Sequence, residues 1–282
     1  MTPDPGAAGE GRKREVPGAR DGTVREERRD GVGYPLFVHA AWEARFPALA
    51  AGITAAGCGP GGDEADFGLT TAGPAWTLFE RLEGLAGQLG FPAAAVGRQV
   101  HGDAVTCLSP APEPGLRVPG ETDGLVTDAT GLLLVVTAAD CVPVYLLDPD
   151  SGGLGLLHAG WRGVAAGILS SGVRAMGARF GAAADRLRLH LGPAVCGSCY
   201  EVGPEVPEAL GLPAGASSDT LTVDLRDELA RRARRLGLAE GRSTRSAWCT
   251  RCSADQFHSH RGRGADAGRM AAYLGWTRDP GA

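Results

Sequence analysis

The sequence predicts an α+β fold in a single domain. Six apolar, strand-like runs succeed one another between residues 96 and 157, too close together for a helix to fit between each pair. Such a succession favours antiparallel or mixed pairing over a doubly wound parallel sheet. Helical spacing, by contrast, is confined to stretches at 74–89, 164–180 and 225–236. A chain of 282 residues that is 43% apolar also has the means to bury one large core.

Residues 1–33 combine Arg and Glu in near balance with Gly and Pro and few large apolar side chains. They are expected to form a disordered charged tail, because they bury too little to offset chain entropy. The folded domain is then 34–282. It opens with strand candidates at 36–40 and 49–54 and a glycine-rich loop at 57–68. The 74–89 stretch starts on a proline, places Trp76, Leu78, Phe79, Leu82, Leu85, Ala86 and Leu89 at helical spacing, and stops on Gly90 before Pro92. Strand runs follow at 96–100, 104–108, 124–127, 132–137, 142–147 and 153–157, with turn residues between them. After the helix at 164–180 come strands at 187–191 and 221–223, the helix at 225–236 and a strand at 270–274.

Composition excludes several functions. A net charge of −5 provides no basic face to displace counterions, so nucleic acid is not an expected partner. There is no apolar run long enough for a membrane span, and the polar first thirty residues lack the apolar centre of an export signal, so a cytoplasmic location is expected. Seven cysteines, an odd number, favour free thiols or metal ligands over a disulfide framework. Lys13 is the only lysine, which removes Schiff-base and P-loop chemistry from the folded part.

Three motifs carry chemistry: Gln99-Val100-His101-Gly102, Ala139-Asp140-Cys141 and His158-Ala159-Gly160-Trp161-Arg162-Gly163. Each lies at the end of a strand-like run. Two imidazoles and one thiol form a catalytic zinc set, with a fourth position left for water or substrate. Cys and His also suit copper, but a laccase-type trinuclear cluster needs many imidazoles and the chain holds six His. A single copper ion remains compatible with the residues. Asp123 and Asp140 are the nearest candidates for proton transfer or for orienting an imidazole. With no lysine in the domain, phosphate binding falls to arginine, backbone amides or a metal, and Arg98, Arg162 and Arg269 are the candidate arginines. Two further pairs, Cys196-Gly197-Ser198-Cys199 and Cys249-Thr250-Arg251-Cys252, are separated by far more than in a compact zinc ribbon, and read as two sets of free thiols.

Taken with Thr122-Asp123-Gly124, Gly192-Pro193, Tyr200-Glu201-Val202-Gly203, Cys249-Thr250, Phe257, Ser259, Arg261 and Gly268-Arg269, these motifs resemble the YfiH-type laccase-domain family. Its members are described as purine nucleoside phosphorylases, polyphenol oxidases and peptidoglycan-editing factors. The resemblance runs from about residue 34 to 277. It implies layered mixed β-sheets flanked by helices. It also implies zinc-dependent phosphorolysis of adenosine, inosine, guanosine or methylthioadenosine with adenosine deaminase activity, the partners being a nucleoside and phosphate. The alternatives are a Cys-His amidase acting on cell-wall precursors, with Cys141 as nucleophile, and a copper-dependent polyphenol oxidase. The chain departs from the family pattern in the Gly57 to Thr70 loop, which keeps Phe67-Gly68-Leu69 but not the rest of the family's loop pattern, and at Gly262, where a second arginine is usual.

Overall fold

Alternation along Leu132–Ala138 explains the architecture. Leu132, Leu134 and Val136 face one apolar cluster while Leu133 and Val135 face another, so both faces of the strand are covered. A strand buried on two sides reads as a continuous apolar run. The computed structural model describes residues 22–278 except 63, 70, 72, 109–112 and 214–220. In chain order it begins with β1 (Thr23–Val24), β2 (Glu27–Arg29), β3 (Leu36–Val38), α1 (Ala40–Arg45), β4 (Leu49–Thr54) and α2 (Ala75–Gln88). Then come β5 (Ala93–Val96), β6 (Val105–Leu108), β7 (Gly115–Arg117), β8 (Gly124–Thr127), β9 (Leu132–Ala138), β10 (Val142–Asp148) and β11 (Gly153–Ala159). The rest comprises α3 (Trp161–Ala166), α4 (Ile168–Phe180), β12 (Arg188–Leu191), β13 (Glu201–Val202), α5 (Glu205–Leu210), β14 (Leu221–Thr222), α6 (Leu225–Arg235), β15 (Ser243–Ser246), α7 (His260–Arg263) and β16 (Met270–Trp276).

Two mixed seven-stranded sheets result, in the orders β1-β15-β12-β10-β11-β8-β6 and β2-β3-β4-β16-β9-β5-β7. They pack face to face over Ile53, Leu134, Tyr145, Leu154, Leu156 and Leu274. Helices α3, α4 and α6 cover the outer face of the first sheet through Val164, Ile168, Met176 and Leu229. Helix α2 covers the second through Leu78, Leu82 and Leu85. This is the expected α+β class with layered sheets flanked by helices. None of the described helices is long and apolar enough to cross a membrane.

Several local expectations are corrected. The strand placed at 96–100 lies earlier, at β5, because Gln99 leaves the sheet to clamp the end of β9: its Oε1 accepts from Thr137 N at 2.7 Å and its Nε2 donates to Thr137 O at 2.8 Å. The helix at 164–180 is two helices, α3 and α4, broken where Gly167 takes a left-handed φ of 103°. Of the apolar residues at helical spacing in α2, Trp76 and Phe79 are 60% and 41% exposed. Residues 1–21 of the predicted tail lie outside the described residues. The part from 23 onward is structured: β1 pairs with β15 and β2 with β3. Its anchor is polar. Glu26 is buried, accepting from His190 Nε2 at 2.8 Å and Ser246 Oγ at 2.7 Å, while Arg25 lies 4.3 Å over the Trp248 ring.

Next to that anchor, His39 caps α1, its Nδ1 accepting from Trp42 N at 3.2 Å. Burial, with His190 beside it, lowers its pKa to about 3. The folded value lies below the unfolded one of about 6.5, so stability is complete above that pH and lost as pH falls through it. Between pH 7 and 5 the wild type should lose about 2 kcal/mol more than His39→Asn, which keeps the cap without the titration. Urea midpoints at the two pH values measure this; equal slopes for both proteins would refute it.

Candidate metal centre

Three separate connections bring His101, Cys141 and His158 to one point. His158 is the penultimate residue of β11. Cys141 ends the short link by which the chain leaves β9 in one sheet and enters β10 in the other. His101 sits in the loop between β5 and β6. One ligand atom from each lies within 4.8 Å of the others.

Asp123, just before β8, organises the cluster. Its Oδ1 accepts from His101 N at 3.0 Å and from His158 Nδ1 at 2.8 Å. Its Oδ2 accepts from Val100 N at 3.0 Å and Gly102 N at 2.9 Å. Such a carboxylate turns a peptide loop and an imidazole into one rigid body, and it leaves Nε2 as the free nitrogen of His158. Asp140 plays the matching part behind Cys141. Thr250 Oγ1 donates to its Oδ1 at 2.5 Å and Arg261 N to its Oδ2 at 2.6 Å. His101 and Asp140, with φ of 61° and 83°, are the non-glycine residues in left-handed conformation among those described. Strain of this kind persists only where neighbours over-determine it, as these hydrogen bonds do.

Charges within the cluster reinforce one another. Burial pushes the Cys141 thiol up, but the adjacent His158 and hydrogen bonds from His101 and His158 outweigh it and bring its pKa to about 6. Burial likewise lowers His158, yet Cys141 and Asp123 raise it to about 9. Burial also raises Asp123, and its bonds from His158, Gly102 and Val100 hold it below the usual carboxylate value.

The residues suit a metal on two counts. One thiol and two imidazoles are a zinc donor set, and the second nitrogen of His158 is held by a carboxylate as in metal-ligating histidines generally. Gly160 keeps the space clear: a Cβ there would stand 2.9 Å from His101 Cδ2 and 3.0 Å from Cys141 Sγ.

The sequence-predicted arginines differ in what holds them. Arg98 is exposed and paired with Glu121. Arg269 bonds the carbonyls of Ala267 and Gly268, while its own N–H donates to Asp66 Oδ1 at 2.7 Å. Arg162, exposed at the start of α3, has its guanidinium 4.3 Å over the Trp161 ring. Sequence reasoning assigned no role to Arg261, whose backbone holds Asp140 and whose guanidinium lies 4.8 Å over the Tyr200 ring. Its place in the closing motif was the available signal.

Residues 62–277 match the family described as "Multi-copper polyphenol oxidoreductase laccase". The chain is 37% identical over 201 residues to a purine nucleoside phosphorylase of Deinococcus radiodurans, covering 70% of this chain and 76% of that protein. It is 35% identical over 156 residues to adenosine deaminase RL5 from an unknown prokaryotic organism, covering 52% of this chain and 59% of that one. The crystal structure of YlmD from Geobacillus stearothermophilus superposes with a TM-score of 0.77 and 26% identity over 90% of this chain and 100% of YlmD. With the family match, the superposition and the motif order in agreement, the chain belongs to the YfiH-type laccase-domain family.

Proposed function

We propose that this protein is a zinc-dependent purine nucleoside phosphorylase with adenosine deaminase activity at the same site, the ion being held by His101, Cys141 and His158. The observation that best supports this is the Asp123 carboxylate, which orients two of the three donors and leaves a three-ligand set open to a fourth. A zinc ion there would supply Lewis-acid activation of water near neutral pH. In phosphorolysis a phosphate oxygen bonds C1′ of the ribose as the glycosidic bond breaks, and the purine leaves with the electron pair and takes up a proton. In deamination water adds at C6 and ammonia leaves. Arg162 and Arg261, exposed beside the metal motifs, are the guanidinium groups best placed to bind the attacking dianion through paired hydrogen bonds. Asp123 and Asp140 act as positioning residues, since every oxygen of Asp123 is already an acceptor and Asp140 is tied to Thr250 and Arg261. The names of the relatives support the nucleoside; the six His support a single-ion site over a multicopper cluster.

A second reading has one observation in its favour. Asp123, His158 and Cys141 form a carboxylate, imidazole and thiol series, the arrangement of a cysteine nucleophile with its base, which would suit an amidase. Zinc content separates the two readings.

Arg162→Ala should lower kcat/KM for phosphate-dependent cleavage of inosine roughly 10- to 100-fold, the worth of a charged hydrogen-bond pair, and spare adenosine deamination. The two reactions are compared on one preparation at several phosphate concentrations. Equal loss in both would assign Arg162 to the nucleoside or to the fold; a selective loss in Arg261→Ala alone would move the phosphate to Arg261. If neither variant is selective, phosphorolysis is abandoned for this protein.

A further inference from the structure

We infer that Cys196, Cys199, Cys249 and Cys252 form a second metal centre, a structural four-thiolate zinc site distinct from the His101 cluster. The two Cys-x-x-Cys pairs are far apart in sequence but not in the fold. Strands β12 and β15 run parallel and adjacent, so their ends emerge side by side, and a bridge between Ala194 and Cys249 continues the pairing beyond them. Each pair follows directly. The four sulfurs all lie within 4.8 Å of one another, and none is in a disulfide.

The spacing suits one ion. With zinc–sulfur bonds of about 2.3 Å, tetrahedral sulfurs stand about 3.8 Å apart. Cys199 Sγ and Cys252 Sγ are 3.4 Å apart, a separation that one bridging ion can span after a small outward shift. Clusters with two or four irons hold their thiolates further apart, because the irons lie between them.

Backbone amides make a second observation that points to thiolates. Cys196 N donates to Cys249 Sγ at 3.2 Å and Cys252 N donates to the same sulfur at 3.4 Å. The first pair is wound as a tight turn, with Cys199 N donating to Cys196 O at 2.9 Å. Converging N–H groups of this kind stabilise sulfur that carries charge. Four thiolates around zinc leave a charge of −2, and Arg251 lies within the second pair, its guanidinium bonded to Cys199 O at 3.1 Å. Cys-x-x-Cys twice is also the ligand spacing of structural zinc, which is closed by four protein ligands and leaves no open position.

The site joins two segments that support the Cys141 link. Thr250, between Cys249 and Cys252, donates to Asp140 Oδ1, and Tyr200, next to Cys199, lies under Arg261. The inference is independent of the nucleoside reading, since it concerns other ligands.

The test uses the full chain and separates the two centres. Wild-type protein purified without chelators should carry two zinc ions per chain, and the His101→Ala/His158→Ala double variant should keep one. X-ray absorption on that variant should show four sulfurs at about 2.3 Å and no nitrogen. Cobalt exchanged into it should give the intense thiolate charge-transfer and tetrahedral bands of a four-sulfur centre. Cys199→Ser/Cys252→Ser should lose that ion and retain the one held with His101. If this variant does not fold, absorption on the His101→Ala/His158→Ala protein still decides. A double variant without metal, one with a disulfide in its thiol titration, or one with iron or with mixed nitrogen and sulfur ligation overturns the assignment.

Discussion

Asp123→Asn should bind zinc at the His101 cluster roughly 10- to 100-fold more weakly than wild type, as loss of a partner behind a metal-ligating histidine does in general. The carboxylate accepts four hydrogen bonds, from Val100, His101 and Gly102 amides and His158 Nδ1. Asparagine has one acceptor oxygen, and its NH2 would face donors. At least two donors are then stranded in a site that is fully buried at Asp123, at about 1–3 kcal/mol each. Chelator competition measures the affinity and thermal melting the stability. Unchanged affinity with lowered stability would mean that Asp123 holds the loop but not the ligand geometry, and the positioning role would be withdrawn.

Glu26→Ala should destabilise the fold by about 3–5 kcal/mol, the range for removing one partner of a buried pair. It strands His190 Nε2 and Ser246 Oγ, both buried. A chain lacking residues 1–30 should lose at least as much, since β1 and β2 go with it. Urea midpoints of the three proteins check this. A truncated chain as stable as wild type would show that Glu26 adds nothing net beyond what its own burial costs.

Legibility followed apolarity. The strands from Leu132 to Ala159 were readable because sheets covered on both sides demand unbroken apolar runs, and β4 was found at its observed bounds for the same reason. Strand β15, Ser-Thr-Arg-Ser, gave no such signal, yet it lies inside the first sheet, paired on both sides. Its place is set by backbone pairing with β12 and β1 and by Ser246 on Glu26. The same blindness put residues 23–29 in a tail: the anchor is one buried carboxylate whose partners lie more than 160 residues away. Spacing read 164–180 as one helix, and the left-handed φ of Gly167 is a break that spacing cannot show.

In the site, His101, Cys141 and His158 were legible from residue type and motif, although of the three only His158 lies within a strand, His101 being in the β5–β6 loop and Cys141 in the β9–β10 link. The four-fold acceptor role of Asp123 was not, since it depends on a loop folding back onto a neighbouring strand. Arginines were the least readable. Their length lets Arg98 reach Glu121 and Arg269 reach nearby carbonyls, partners that residue type does not disclose.

Cys141 sits on the splice between the two sheets, whereas His158 belongs wholly to one of them. Cys141 nevertheless leads straight into Val142, which pairs with Ala159 beside His158, so the spacing of sulfur and nitrogen is set by the register of β10 on β11. A bond across the layers, Tyr145 Oη to Gly52 O at 2.7 Å, ties the strand that Cys141 leads into to the opposite sheet. The candidate centre thus takes its geometry from one antiparallel pair and its stiffness from the close-packed layers on which that pair rests.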